Sequence, residues 1–316
     1  MFELLAPAIS LAANGLLIWS GVRAWRAESR FLKWSGTILA SLFSTVLAGI
    51  SVLLIIGLFK LHARTAPAVA LTISATPAQI QRGEDISNGF CSGCHSKTGT
   101  LTGGNNIGDD LPVPIGTFVS TNLTPAGPLS RWSDGEIFRA IRNGVDRDGR
   151  WLMIMSYTNA GKLSDDDTKA VIAYLRHLPF AGLQTPNPPD HLNLLGVLML
   201  GAGLLPTGKP ISRGIVSAPP KGPTSHYGEY ILSYQDCREC HGKNLTGGVP
   251  GQLAPLGPDL NLVKYWKLDQ FVATMRTGFD PSGHEIAKQM PWKPIGQMSD
   301  EELSAIYEYL THLPIE

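Results

Sequence analysis

Four cysteines restrict this chain more than any other feature. They fall as Cys91-Ser92-Gly93-Cys94-His95 and Cys237-Arg238-Glu239-Cys240-His241, with none left over. Each pentapeptide is C-x-x-C-H, the spacing at which two thiols reach the two vinyl groups of one haem. The adjacent histidine then offers an axial nitrogen to the iron. A zinc site or a redox C-x-x-C shares the cysteine spacing, but neither calls for a histidine directly after the second cysteine, twice over. The expectation is two covalent haem c groups, with His95 and His241 as proximal ligands and no structural disulfide.

The rest of the chain divides around these motifs. Hydrophobic residues make up 43% and charged residues 16% of the 316, below the usual charged share of a soluble domain. Net charge is zero, so no basic block argues for nucleic acid. Two apolar stretches open the sequence, about Leu4–Val22, interrupted by Pro7, Ser10, Asn14 and Ser20, and about Gly36–Phe59, free of charge. At about 1.5 Å per residue either one crosses a hydrocarbon core of about 30 Å. Trp19, Trp25 and Trp34 sit near their ends, where an interfacial aromatic belt belongs. Between them Arg23, Arg26, Glu28, Arg30 and Lys33 form a mainly basic loop, which the positive-inside rule keeps cytoplasmic. A cleaved signal peptide is the competing reading of the first stretch, but Met-Phe-Glu lacks a positive n-region. Asn14 offers a polar contact either to a partner helix or to its own hairpin mate.

An internal repeat assigns further residues. Arg142–Gly149 answers Arg276–Gly283 at a shift of 134, which also places Trp132 on Trp266. Tyr174–Pro179 answers Tyr309–Pro314 at a shift of 135. At that shift Met155 falls on Met290, whereas Met153, Met275 and Met298 find no methionine opposite. Met155 and Met290 are therefore the expected distal ligands. Ser133 with Glu136 reads as a capping box. Ser164 and Ser299 read as caps of the last helix in each half, with acidic residues at its positive end. His177 and His312 read as helix C-termini rather than ligands. Trp132 and Trp266 suit either a bond to a haem propionate or plain packing. Residues 192–205 are an apolar run too short to span a bilayer; packing within the protein, a membrane surface and a partner subunit all stay open for it.

The predicted fold class is all-α: an N-terminal two-helix transmembrane hairpin followed by two tandem cytochrome c domains. The expected boundaries are 1–60 for the hairpin, 61–77 for a linker, 78–181 for the first domain, 182–222 for an inter-domain linker holding Pro186, Pro188 and Pro189, and 223–316 for the second domain. The stretches Ser120–Pro125, Trp132-Ser133-Asp134, Ala140–Val145 and Asp148-Gly149-Arg150 resemble the cytochrome c subunits of bacterial membrane alcohol, aldehyde and gluconate dehydrogenases and related dihaem cytochromes. In that family a Met-Pro-Tyr segment carries the distal methionine; here it reads Met155-Ser156-Tyr157 and Met290-Pro291-Trp292. The family's subunits usually carry three haems and a different anchor, so two haems and an N-terminal hairpin bring the layout closer to the dihaem subunit of cbb-type oxidases or to a cytochrome serving a quinol-oxidising complex. The resemblance implies an electron carrier at the bacterial cytoplasmic membrane, its haem domains on the periplasmic side. Its redox partners would be a quinol-linked or dehydrogenase donor and an acceptor such as a terminal oxidase or soluble cytochrome. The rival readings are a dihaem peroxidase, which needs one open sixth position, and a relay subunit of an obligate respiratory or photosynthetic complex.

Overall fold

The computed structural model describes residues 2–97, 99–184, 190–252 and 254–313, with side chains from Leu5 onward. Pro186, Pro188, Pro189 and Pro314 lie outside the described residues. The helices in chain order are α1 (Phe2–Trp25), α2 (Arg30–Ala63), α3 (Pro77–Ile86), α4 (Ser92–His95), α5 (Asp134–Asn143), α6 (Met153–Tyr157), α7 (Asp165–His177), α8 (Leu194–Gly201), α9 (Ser225–Tyr234), α10 (Cys237–His241), α11 (Leu268–Thr277), α12 (Trp292–Ile295) and α13 (Asp300–Thr311). They sort into two compact units.

One unit comprises residues 1–65, 113–117 and 191–207. Here α1 and α2 pair closely because small residues meet: a Cβ on Gly36 would lie 2.8 Å from Ala24 and one on Gly21 3.1 Å from Ala40. Polar side chains inside the pair satisfy each other. Ser44 Oγ donates to Asn14 Oδ1 at 2.6 Å, and Ser10 and Ser51 hydroxyls lie 2.7 Å apart. Asn14 thus bonds its own hairpin mate. The outward faces are apolar, with Leu16, Ile38, Leu42, Phe43 and Phe59 all more than half exposed, and both helices are long and apolar enough to cross a membrane. Helix α2 continues past Phe59 to Ala63. The apolar run after residue 192 forms α8, which crosses α2. A Cβ on Gly57 would sit 2.2 Å from the Val197 carbonyl, and one on Gly201 2.0 Å from that of Leu53.

The second unit comprises residues 66–112, 118–190 and 208–316 and holds both C-x-x-C-H motifs. Residues 66–76 lie along α5: Ile73 N donates to Asp134 Oδ2 at 2.9 Å, and the Val69 carbonyl occupies the space a Cβ on Gly135 would need. Each half is framed by a tight crossing of its first and last helices. A Cβ on Gly83 of α3 would come within 1.9 Å of the Ala170 carbonyl of α7. One on Gly228 of α9 would meet the Ala305 carbonyl of α13 at the same distance. The caps at Ser133, Ser164 and Ser299 form as the sequence predicts. His177 and His312 each turn Nδ1 onto the carbonyl four residues back in the same helix. A continuous apolar core joins the halves, from Ile86, Ile137 and Ile172 in the first to Ile231, Leu303 and Leu310 in the second.

Candidate haem sites

In the first half the chain passes from α3 through a widened turn at Ser87–Cys91 straight into α4, so Cys91, Cys94 and His95 follow one nearly continuous helix. In the second half the distance from the crossing glycine to the first cysteine is one residue longer. Asp236 absorbs that residue by taking a left-handed conformation, φ +55°, and α10 begins at Cys237. All four cysteines are free thiols, each partly buried. Burial pushes the Cys91 and Cys237 thiols up to about 12, and raises those of Cys94 and Cys240. Among the described residues no group of three or more His, Cys, Asp and Glu side chains gathers around a point.

Both histidines are held in one way. His95 Nδ1 lies 2.8 Å from the Thr121 carbonyl and His241 Nδ1 2.8 Å from the Pro258 carbonyl. Such a bond fixes the tautomer and the ring plane and leaves Nε2 as the edge for a metal. Burial holds His95 below its ordinary value, favouring the neutral form that a ligand needs. Two further contacts recur. Gly103 N donates to the His95 carbonyl as Gly247 N does to that of His241, and Leu123 N bonds the Leu101 carbonyl as Leu260 N does that of Leu245. Leu101 and Leu245 both have positive φ, +52° and +63°, an uncommon state for leucine. Their side chains are almost fully buried, and that burial holds the strained loop beneath the histidine. The sequence carries the signal, Leu-Thr-Gly-Gly at 101–104 and again at 245–248. The shift here is 144, out of step with the 134 and 135 that relate the later blocks.

Met155 and Met290 are both partly exposed and pack against the core that also receives Cys91 and Cys237. Met153, Met275 and Met298 are buried filler. Each in-register methionine is followed by a segment that one arginine ties down. Arg142 donates to the Gly161 and Leu163 carbonyls at 2.7 and 2.6 Å and to Asp165 at 2.7 Å. Arg276 repeats this on the Gly296 and Met298 carbonyls and on Asp300. The supports also differ. Met155 lies in α6, whose leading amide at Met153 donates to Asp190 Oδ2 at 2.6 Å; Met290 precedes α12, with its carbonyl accepting from Trp292 N at 2.8 Å.

The two halves meet at their haem motifs. Gly89 and Gln235 each stand two residues before the first cysteine of a motif, and Gln235 Nε2 donates to the Gly89 carbonyl at 3.3 Å. Equivalent positions of the two halves are thus in contact. Phe90 stacks edge-on to Tyr234 at 5.8 Å. Between the halves Asn159, four residues after Met155, donates through its N and Nδ2 to Asp236 Oδ1 at 2.7 and 2.6 Å. Met298 and Pro294 of the second half lie where a Cβ on Gly89 or Gly93 would point. Also between the halves, Arg82 pairs with Asp167 at 2.8 Å and with Glu302, while Tyr230 donates to Asp167 at 2.6 Å.

These features fit a c-type haem in each half: paired thiols on a helical turn, a ring held by its far nitrogen, and a partly exposed thioether in register. The comparisons point the same way. Residues 80–179 match the family described as cytochrome c, and residues 226–310 that described as cytochrome c oxidase, cbb3-type, subunit III. The cytochrome c subunit of the alcohol dehydrogenase (quinone) of Gluconacetobacter polyoxogenes is 26% identical over 81% of this chain and 60% of its own length. One of the subunits of the nicotinate dehydrogenase of Pseudomonas putida is 28% identical over 76% of this chain and 22% of its own length. The gluconate 2-dehydrogenase cytochrome c subunit of Pantoea cypripedii is 37% identical over 33% of this chain and 24% of its own. The chain thus spans less than two thirds of each of these relatives. Two apolar N-terminal helices and two tandem cytochrome c domains, with haem c implied by both, make this chain similar to the cytochrome c subunits of dehydrogenase complexes.

Proposed function

We propose that the chain is a membrane-bound relay carrying single electrons between two c-type haems. Cys91, Cys94, His95 and Met155 would hold one haem, and Cys237, Cys240, His241 and Met290 the other. When bound, such a group would supply the uptake and release of one electron, and a histidine and a methionine on each would leave no place for substrate. The observation that carries the reading is the duplication of the proximal support, a histidine Nδ1 on a loop carbonyl at 2.8 Å in each half, combined with methionines in register. The protein's own residues supply position. Thr121 and Pro258 orient the imidazoles, Arg142 and Arg276 fix the segments behind the methionines, and the contact around Gly89 and Gln235 keeps the two motifs adjacent.

Helices α1 and α2 span the cytoplasmic membrane with the loop around Arg23–Lys33 inside, so both domains, 78–181 and 223–316, work on the outer side. The donor is a quinol-linked or dehydrogenase subunit, as the names of the relatives suggest, and the acceptor a terminal oxidase or soluble cytochrome. The test combines a haem count with ligand spectroscopy. The wild type should carry two covalent haems per chain, each low-spin with the weak red charge-transfer band of sulfur ligation. Met155→Ala and Met290→Ala should each remove half of that band. A single haem per chain, or a band that survives both substitutions, overturns the assignment.

A further inference from the structure

Helix α8 is apolar throughout, Leu194-Leu195-Gly196-Val197-Leu198-Met199-Leu200-Gly201, yet it buries one face only. Gly196, Val197, Leu200 and Gly201 are covered, whereas Leu194 and Leu195 are nearly half exposed and Leu204 just beyond them is 66% exposed. A helix hydrophobic all round belongs in a core or in lipid. Its depth is set by α2. The contacts at Leu53 and Gly57 fall inside the apolar run that ends at Phe59, within roughly 10 Å of its end at about 1.5 Å per residue. At the same level Val52, Ile55 and Phe59 of α2 are themselves exposed, so whatever surrounds them also surrounds α8.

The backbone of α8 is closed off as hydrocarbon requires. Asn193 caps the start, accepting from Gly196 N at 2.9 Å and donating through Nδ2 to the Pro114 carbonyl at 2.7 Å. At the other end Ala202, Leu204 and Gly203 amides take the carbonyls of Leu198, Met199 and Leu200. Lys60 reaches from α2 to the Leu200 and Gly201 carbonyls at 2.9 and 3.4 Å, neutralising the negative helix end. In water these ends need no internal partners; in a bilayer an unmet backbone group has no water to turn to.

We propose that α8 is a third membrane element, an interfacial helix whose Leu194, Leu195 and Leu204 are covered by phospholipid acyl chains of the outer leaflet. It rests on the reading that α1 and α2 span the membrane. The chain between the two cytochrome domains would then be anchored independently of the N-terminal linker. A photoreactive benzoylphenylalanine placed at Leu195 or Leu204 of the full chain, in cells fed tritiated fatty acid, tests it. Haem content serves as the check of folding, Leu42 in mid-α2 as the lipid-facing control and Ile215 as the exposed control. Labelled lipid adducts at 195 and 204 in yields comparable to Leu42, with none at Ile215, support the proposal. Adducts at Leu42 alone overturn it while leaving the spanning reading intact. Adducts at neither overturn both. A protein adduct at 195 or 204 in place of lipid shows that a partner subunit covers α8 and also overturns it.

Discussion

Arg142 and Arg276 occupy equivalent places and make equivalent bonds, yet their settings differ. The Arg142 side chain is 3% exposed beside Asp165 at 25%; Arg276 is 37% exposed beside Asp300 at 82%. Removing one partner of a buried pair costs about 3–5 kcal/mol, whereas an exposed pair contributes about 0–1 kcal/mol. Arg142→Ala should therefore destabilise the chain by several kcal/mol and Arg276→Ala by clearly less, as read from denaturant unfolding followed at the haem bands. Equal losses would mean that the carbonyl bonds, common to both arginines, dominate. The sequence exposed these arginines through the 134-residue repeat but said nothing of their targets. A bond from a side chain to a backbone carbonyl leaves no trace in the identity of the residue that accepts it. Thr121 and Pro258 show this most plainly, a threonine and a proline doing one job through a group every residue has.

At the scale of helices, what was legible follows from local chemistry. A serine three residues before a carboxylate, or before a run of aspartates, announces a cap, and Ser133, Ser164 and Ser299 all form one. The crossings of α3 with α7 and α9 with α13 depend on glycine for a longer-range reason: a backbone carbonyl from the partner helix occupies the place of a side chain. Gly83→Ala and Gly228→Ala should each force the helices apart, at a cost of about 1–3 kcal/mol or more, and should lower covalent haem in the affected half. Gly49→Ala in α2, where a Cβ would have nothing within 4 Å, is the control and should leave haem stain unchanged. Full haem in Gly83→Ala would show that the first crossing tolerates widening. Helix α8 was legible as an apolar run but not as a partner of α2, because its mate lies about 140 residues away and small residues fit many surfaces.

For the molecule as a whole, each half steadies the other's motif, but by different means. Asn159 gives the second motif two hydrogen bonds at Asp236; the first motif receives the apolar Met298 and Pro294. Burial already pushes the Asp236 carboxyl up to about 6. Asn159→Ala should remove the Nδ2 donor and keep the backbone one, so the Asp236 carboxyl beside Cys237 should rise further and hold its charge only at alkaline pH. At alkaline pH, where that carboxylate stays ionised with one donor fewer, the haem at Cys237, in the other domain from the substitution, should become easier to oxidise, a lowered midpoint in a spectroelectrochemical titration, while the haem at Cys91 moves less. A shift confined to the haem at Cys91 would contradict the cross-domain brace. None of this was visible in the repeat, which reported that the halves are alike but not that they touch.

The contact of Gly89 with Gln235 has one more consequence. Like places on two copies meeting across an axis is how a symmetric dimer assembles. Separate copies joined that way would come apart on dilution. Here the copies share one polypeptide, and association between them is intramolecular, governed by a local effective concentration that no change in expression level alters. The spacing of the two motifs is thus a property of the single chain, the same in a crowded membrane and in a sparse one.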